Sequence, residues 1–348
     1  MSSWKNAGAK KVAIGASLIA VLATLLTTLV IPSAMAAPSI ADVQARVRAL
    51  QEDAAAAGEA AQHAQVELNN LNRTLASVQK QADAEAKTVS QYQSSLGAIA
   101  REEYKSGGLS QSMQLLFSSD PKLYLNAAGS LQAVTKRQAA QLKQYSVAKQ
   151  RLTATSLTVN DKVSLAKAAQ ARYTAQEKAA NDKLAEAQKL LDSLSKAERE
   201  RLAALVDSQE NADQAASIAE AARANLGSGR GALALKFAIS QIGKRYSFGA
   251  AGMTYWDCSG LTMVAFKQAG VSLPHSAAAQ AGFGKSIPLN KLQPGDLVFF
   301  GRHRYISHVG IYLGNGRMVN APHPGARVKV ESFGSMFGSE AFYGARRI

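Results

Sequence analysis

Apolar residues return at alternating intervals of three and four along the first half of the chain: Ile40, Val43, Val47, Leu50, Ala54, Ala57, Ala61, Ala64, Leu68, Leu71, Leu75, Val78, Ala82, Glu85, Val89, Tyr92, Leu96, Ile99. All but Glu85 are apolar or alanine. This heptad spacing predicts a coiled-coil helix of about sixty residues, roughly 90 Å long at 1.5 Å per residue. A second, looser register runs through Leu142, Tyr145, Lys149, Leu152, Ser156, Val159, Val163, Ala166, Gln170, Tyr173, Glu177, Ala180, Leu184, Ala187, Leu191 and Leu194. Between the two, SGG at 106–108 and SSDP at 118–121 interrupt the pattern, and Pro121 suits the first position of a new helix. The expected form is an antiparallel helical hairpin whose far end carries short helices around Met113 to Leu131. Leu115, Leu116, Phe117, Leu123, Tyr124 and Leu125 make that end apolar. They serve either to close the hairpin or to dock a partner. His63 lies off the seam and reads as solvated.

The pattern changes after Leu226, where Gly, Pro and aromatic residues rise. PGDLVFFG (294–301), HVGIYLG (308–314) and RMVNAP (317–322) read as strands, the last two joined around Asn315 and Gly316. The stretch DCSGLTMVAFKQAG (257–270) reads as a helix capped by Asp257 and closed by Gly270. Ahead of both halves, Lys5, Lys10 and Lys11 precede an uncharged run from Val12 to Ile31, then Pro32 and the triplet Ala34, Met35, Ala36. That order predicts a secretory signal cleaved after Ala36, with an uncleaved anchor as the rival. Either way the remainder lies outside the membrane. The expected division is a signal at 1–36, a coiled coil at 37–226, a Gly/Ser linker at 227–231 and a catalytic domain at 232–348.

Charge and cysteine usage narrow the function. From Gly231 to Ile348 thirteen Lys and Arg stand against four Asp and Glu, a net of +9 out of +15 for the whole chain. No nucleic-acid motif accompanies this surplus, so an anionic wall polymer or lipid headgroup is the expected partner. Cysteine occurs once, as Cys258. An exported chain cannot make an internal disulfide with it, leaving a packing thiol, an intermolecular bridge or a nucleophile. At the first turn of a helix, the free N–H groups and the dipole favour a thiolate. The histidines and the lone cysteine show no H-x-x-x-H or C-x-x-C spacing, so neither zinc nor another cofactor is expected.

A thiolate attacking an amide needs a base, and the base needs a group to hold its tautomer. His308 begins one predicted strand, and Asn320 lies on its hairpin partner. A two-residue loop would pair Ile311 with Asn320 and put the two side chains on opposite faces. A three-residue loop would pair Gly310 with Asn320 and put them on one face.

DCSGL on a helix, LQPGDLVFF, and SHVGIYLGNG followed by a polar residue before AP resemble, in order and spacing, the NlpC family of bacterial cell-wall peptidases. The resemblance covers most of residues 233–348. It implies an α+β chain: the N-terminal coiled-coil hairpin, then a papain-like domain whose catalytic helix packs on an antiparallel sheet. It implies Cys258 as nucleophile, His308 as base and Asn320 as the orienting group, where the family more often has His or Glu. Tyr246 matches a tyrosine near the oxyanion site, with a packing role as the alternative. Asp257 and Ser259 fall near the substrate peptide, although capping alone accounts for Asp257. His275 stands where the family often has Arg or His and would contact a substrate carboxylate or lie on the surface. His323 is the alternative third group, and His303 reads as solvated.

The layout as a whole resembles secreted actinobacterial peptidoglycan endopeptidases of cell division. That implies cleavage of the stem peptide between D-glutamate and diaminopimelate, and a membrane complex resembling an ABC transporter bound at Leu115 to Leu125. The short tether further suggests that the coil restrains the enzyme. A non-catalytic scaffold or activator of another hydrolase is the rival reading.

Overall fold

The computed structural model describes residues 39–105, 120–302, 305–333 and 341–348. The expected signal at 1–36, most of the hairpin's far end and His303 lie outside the described residues.

Helix α1 spans Ile40–Lys105 and α2 spans Pro121–Asp192. Asp120 caps α2, its side chain accepting from the Lys122 N–H at 2.9 Å, and Pro121 opens the helix where its missing N–H costs nothing. The described part from Pro121 is thus one continuous helix. Ion pairs between Arg46 and Glu186 (3.2 Å) and between Arg172 and Glu67 (2.8 Å), with a bond from Gln93 to Tyr145, fix the two helices antiparallel. Buried seam residues include Val43, Val47, Leu50, Leu68, Ala166 and Ala187, as the heptads require.

The helical part has a third member. The chain breaks at Ser193–Ser195, and α3 (Lys196–Arg223) starts on a capping box in which the Ser195 hydroxyl accepts from the Glu198 N–H while the Glu198 carboxylate accepts from the Ser195 N–H. The expected free linker is also revised. Gly229, Arg230 and Gly231 form the first turn of α4 (Gly229–Ile239), and Ala224 and Leu226 pack on the domain core. Gly231 lies so close to Gly295 that a Cβ would sit 3.0 Å from its carbonyl oxygen, so this helix end is seated rather than tethered.

Beyond α4, a short parallel pair, β1 (Arg245–Tyr246) and β2 (Tyr255–Trp256), leads into α5 (Cys258–Gln268) and the single turn α6 (Ala277–Gln280). Strands β3 (Lys285–Ile287), β4 (Leu297–Arg302), β5 (Tyr305–Gly314), β6 (Arg317–Asn320), β7 (Lys329–Ser332) and β8 (Ala341–Arg347) form an antiparallel sheet in the order β3-β8-β4-β5-β6-β7. A core of Leu235, Trp256, Leu261, Phe266, Phe299, Ile311 and Val319 joins α4 and α5 to the sheet.

Strand β7 is an edge, and α3 covers it. The Ser217 hydroxyl accepts from the Val330 N–H (2.9 Å), Glu210 accepts from the Arg327 N–H (3.2 Å), and Gln214 donates to the Val328 carbonyl (3.3 Å). One open backbone group of the edge strand, and two in the segment that leads into it, are thereby occupied.

Candidate active site

Asp257 and Cys258 stand where the chain turns from β2 into α5. The Asp257 carboxylate accepts from the Gly260 N–H (2.6 Å) and meets His275 Nε2 at 2.9 Å from each oxygen. Burial works against a charged His275, but its hydrogen bond to Asp257 and the charges of Asp257 and Glu59 outweigh that and raise its pKa. Gln280 ties α6 to α5, donating to the carbonyls of Ser259 (2.8 Å) and Pro274 (2.9 Å) and accepting from Thr262 (2.7 Å). Cys258 is 2% exposed and shares the buried core with Val309, the residue after His308.

The β5–β6 hairpin determines where Asn320 points. Asn315 and Gly316 both take positive φ, 52° and 70°, so the turn has two residues, and a bulge precedes it between Tyr312 and Gly314. Ile311 then opposes Val319, and continuing that register sets Gly310 opposite Asn320. This is the arrangement that a three-residue loop would give, reached by turn plus bulge, and it leaves His308 and Asn320 diagonal to each other on one face. Both are buried, 4% and 0% exposed, and neither His308 Nε2 nor Asn320 Oδ1 has a hydrogen-bond partner among the described residues. Asn320 Nδ2 donates to Glu331 at 3.0 Å. His323 instead engages its neighbour, with Nδ1 2.9 Å from the Pro324 carbonyl, and burial lowers its pKa. Tyr246 is buried beside the cysteine. Its hydroxyl pKa is raised well above the ordinary value by burial and then by the charges of Cys258, Asp257 and Glu59.

The residue that sequence reading missed is Glu59. It lies on the face of α1 away from the hairpin seam, where a charge reads as solvated, yet it is 2% exposed. Its carboxylate accepts from Ser259 Oγ (2.6 Å), the Ala277 N–H (2.9 Å) and Cys258 Sγ (3.0 Å). The helix around it is fitted to the cleft. Gly58 lies against Phe248, where a Cβ would come within 2.3 Å of the ring. His63, expected to be solvated, sits 3.4 Å from Ser276 and edge-on to Tyr305. The available signal was AAAAGEAA at 54–61: a glycine amid alanines removes bulk from the outer face of a helix and lets another body approach.

This arrangement also revises the expected thiolate. Burial, then the charges of Glu59 and Asp257, raise the Cys258 pKa well above the usual thiol value, so with α1 seated the sulfur is a thiol. Burial and Asp257 raise the Glu59 pKa as well.

The profile of the NlpC/P60 family matches residues 243–347. These residues form an NlpC/P60 domain. This chain is 44% identical over 110 residues to the probable endopeptidase Rv2190c of Mycobacterium tuberculosis, covering 32% of this chain and 27% of that protein. It is 48% identical over 90 residues to the probable endopeptidase p60 of Listeria monocytogenes, covering 26% and 19%. The chain thus spans about a quarter or less of the length of these relatives. Among solved structures, Rv1477, a hypothetical invasion protein of Mycobacterium tuberculosis, shares 32% identity over 34% of this chain and 61% of that one, with a TM-score of 0.30. Tyr246, Asp257, Cys258, Ser259, His275, His308, Asn320 and His323 all fall inside the NlpC/P60 domain, whereas Glu59 comes from outside it.

Proposed function

We propose that this chain is a secreted peptidoglycan endopeptidase that cleaves the stem peptide between D-glutamate and diaminopimelate, with Cys258 as nucleophile, His308 as base and Asn320 as the group that orients the base. The observation that carries this reading is the buried cysteine at the start of α5, packed in one core with Val309, to which His308 is the adjoining residue. Once α1 is lifted, His308 takes the thiol proton and the sulfur attacks the scissile carbonyl carbon. The tetrahedral oxyanion then collapses, the amine leaves with the proton that His308 returns, and water hydrolyses the thioester. Tyr246 supports the oxyanion side, while Ser259 and His275 line the substrate side. The engagement of His323 with Pro324 favours Asn320 as the third group.

The coil is the restraint. Glu59 fills the cleft that a stem peptide would enter, and its charge opposes the ionisation that the reaction needs. In the cell this would keep a wall hydrolase idle until a partner draws α1 away. A membrane complex resembling an ABC transporter, engaging the far end of the hairpin near the exposed Leu125, would act in that role during division.

The test is digestion of purified sacculi by the chain with Glu59→Ala, followed by mass spectrometry of the soluble fragments. Fragments ending at D-glutamate, lost with Cys258→Ala, support the reading. No release by any form, with tight binding to the wall, would favour the non-catalytic scaffold. Cleavage at another bond would refute the specificity.

A further inference from the structure

The geometry points to Glu331 as a positioning residue for catalysis: it fixes the Asn320 amide so that its carbonyl is reserved for His308, and it is itself held by the helix that joins the coil to the domain. The inference rests on the proposed roles of His308 and Asn320.

An asparagine is an ambiguous orienter. Its amide can turn over, presenting NH2 where C=O is needed, and NH2 cannot accept the imidazole proton. Glu331 removes the ambiguity. Its Oε2 lies 3.0 Å from Asn320 Nδ2, and a carboxylate only accepts, so the nitrogen must face Glu331 and the oxygen must face away. The oxygen that results is buried and without a partner among the described residues, as is His308 Nε2. They are one acceptor and one potential donor, on diagonal positions of the same sheet face, within side-chain reach. Leaving either buried and unpaired is costly, and their pairing would relieve that cost. Hydrogen bonds between catalytic groups are often long in the resting enzyme and tighten with substrate. His308 would then carry its proton on Nε2, leaving Nδ1 to take the proton of Cys258.

Glu331 is fixed in turn. Lys329, 7% exposed at its side chain, reaches Glu331 at 3.5 Å, Asp213 at 3.1 Å and Glu210 at 3.8 Å. Asp213 and Glu210 belong to α3. The line His308, Asn320, Glu331, Lys329, α3 therefore connects the base to the helix that follows the coil. It supplies at second remove the carboxylate that an asparagine does not offer directly.

The experiment compares four full chains, all with Glu59→Ala to open the cleft: the parent, Glu331→Gln, Asn320→Ala and the double variant. Nitrogen-15 NMR of ring-labelled histidine, assigned with His308→Gln, reads the tautomer without needing turnover, and sacculus digestion reads kcat and KM. Glu331→Gln keeps size but can donate to Asn320 Oδ1, so it should shift the His308 ring signals from a single Nε2–H form to a mixture. It should also lower kcat about tenfold at unchanged KM, because the base is misplaced while substrate contacts remain. In the Asn320→Ala background the same change should do nothing further. Unmoved His308 signals in a folded Glu331→Gln chain, or an equal loss added to that of Asn320→Ala, would overturn the role of Glu331. If Asn320→Ala alone matched the parent in both readouts, the assignment of Asn320 would fail first and Glu331 with it.

Discussion

Replacing Glu59 with alanine should free the cysteine. In the closed state Glu59 accepts three hydrogen bonds, from Ser259, Ala277 and Cys258. Bonds to a charged group contribute about 1.5–3 kcal/mol each, and the thiol is the weakest donor of the three. Against them stands the desolvation of a carboxylate beside Asp257, which is several kcal/mol and cancels much of the gain. What alanine leaves is a Ser259 hydroxyl and an Ala277 N–H that only trapped water can satisfy while α1 stays down. We estimate a net loss of about 2 kcal/mol for closure, or roughly a thirtyfold shift toward the open form. The assay is the rate of iodoacetamide labelling of Cys258 in the full chain at neutral pH. Labelling needs both an open cleft and an ionised sulfur, and removing Glu59 favours each. The parent should label slowly and Glu59→Ala at least tenfold faster, by the same estimate. Equal rates in two folded proteins would show that the Glu59 contacts do not hold the cleft shut.

Three further outcomes follow from the same geometry. His308→Ala should abolish sacculus digestion and Asn320→Ala should lose less, since Asn320 moves no proton; an inactive His323→Ala beside a fully active Asn320→Ala would reassign the third group. Because the Glu59 pKa is raised in the closed state, closing takes up a proton: closure is strongest below the ordinary carboxylate value of 4.5 and weakens as pH rises through the raised one. The ratio of labelling rates between the parent and Glu59→Gln, which cancels the thiol's own ionisation, should therefore climb with pH in that window and would be flat if Glu59 did not titrate there. Finally, a chain starting at Ser195 should melt about 10 °C above one starting at Ser228, because the shorter one strips Ser217, Gln214 and Glu210 from β7 and the segment leading into it, a loss of ~2 kcal/mol. Matching melting curves would make α3 a mere connector.

Periodicity made the long helices legible, because a heptad reports on the seam that two helices share. It is silent about a helix's other faces, and Glu59, Gly58 and His63 all lie off that seam. The DCSGL, PGDLVFF and SHVGIYLGNG motifs located the domain because each couples a backbone need, such as a cap, a turn or a strand, to a chemical one. The hairpin register was undecided between two loops, and a bulge, which inserts one residue with no compositional mark, resolved it. The end of α2 could have been read from SKAE at 195–198, a capping box inside a helical pattern. A restraint by the coil was suggested by the short tether, but its agent was not legible: the position of Cys258 favours ionisation, and burial together with Glu59, 199 positions away, reverses that.

The capped break at Ser193–Ser195 gives the helical pair a pivot. Leu194 nests among Val43, Val47 and Leu50, close to one end of α1, while α3 stays strapped to the sheet. Measured along α1 at 1.5 Å per residue, Glu59 lies about 18 Å from Val47 and Lys105 about 87 Å from it. The pair is a lever with unequal arms. A sideways pull at the far end meets the grip of Glu59 with nearly fivefold mechanical advantage, and the far end sweeps nearly five times the distance by which the carboxylate withdraws. If the pair turns about that break on activation, the work of unseating is unchanged but is spread over a long stroke at low force, so a weak pull at the far end would open the cleft where the same pull near the pivot would not.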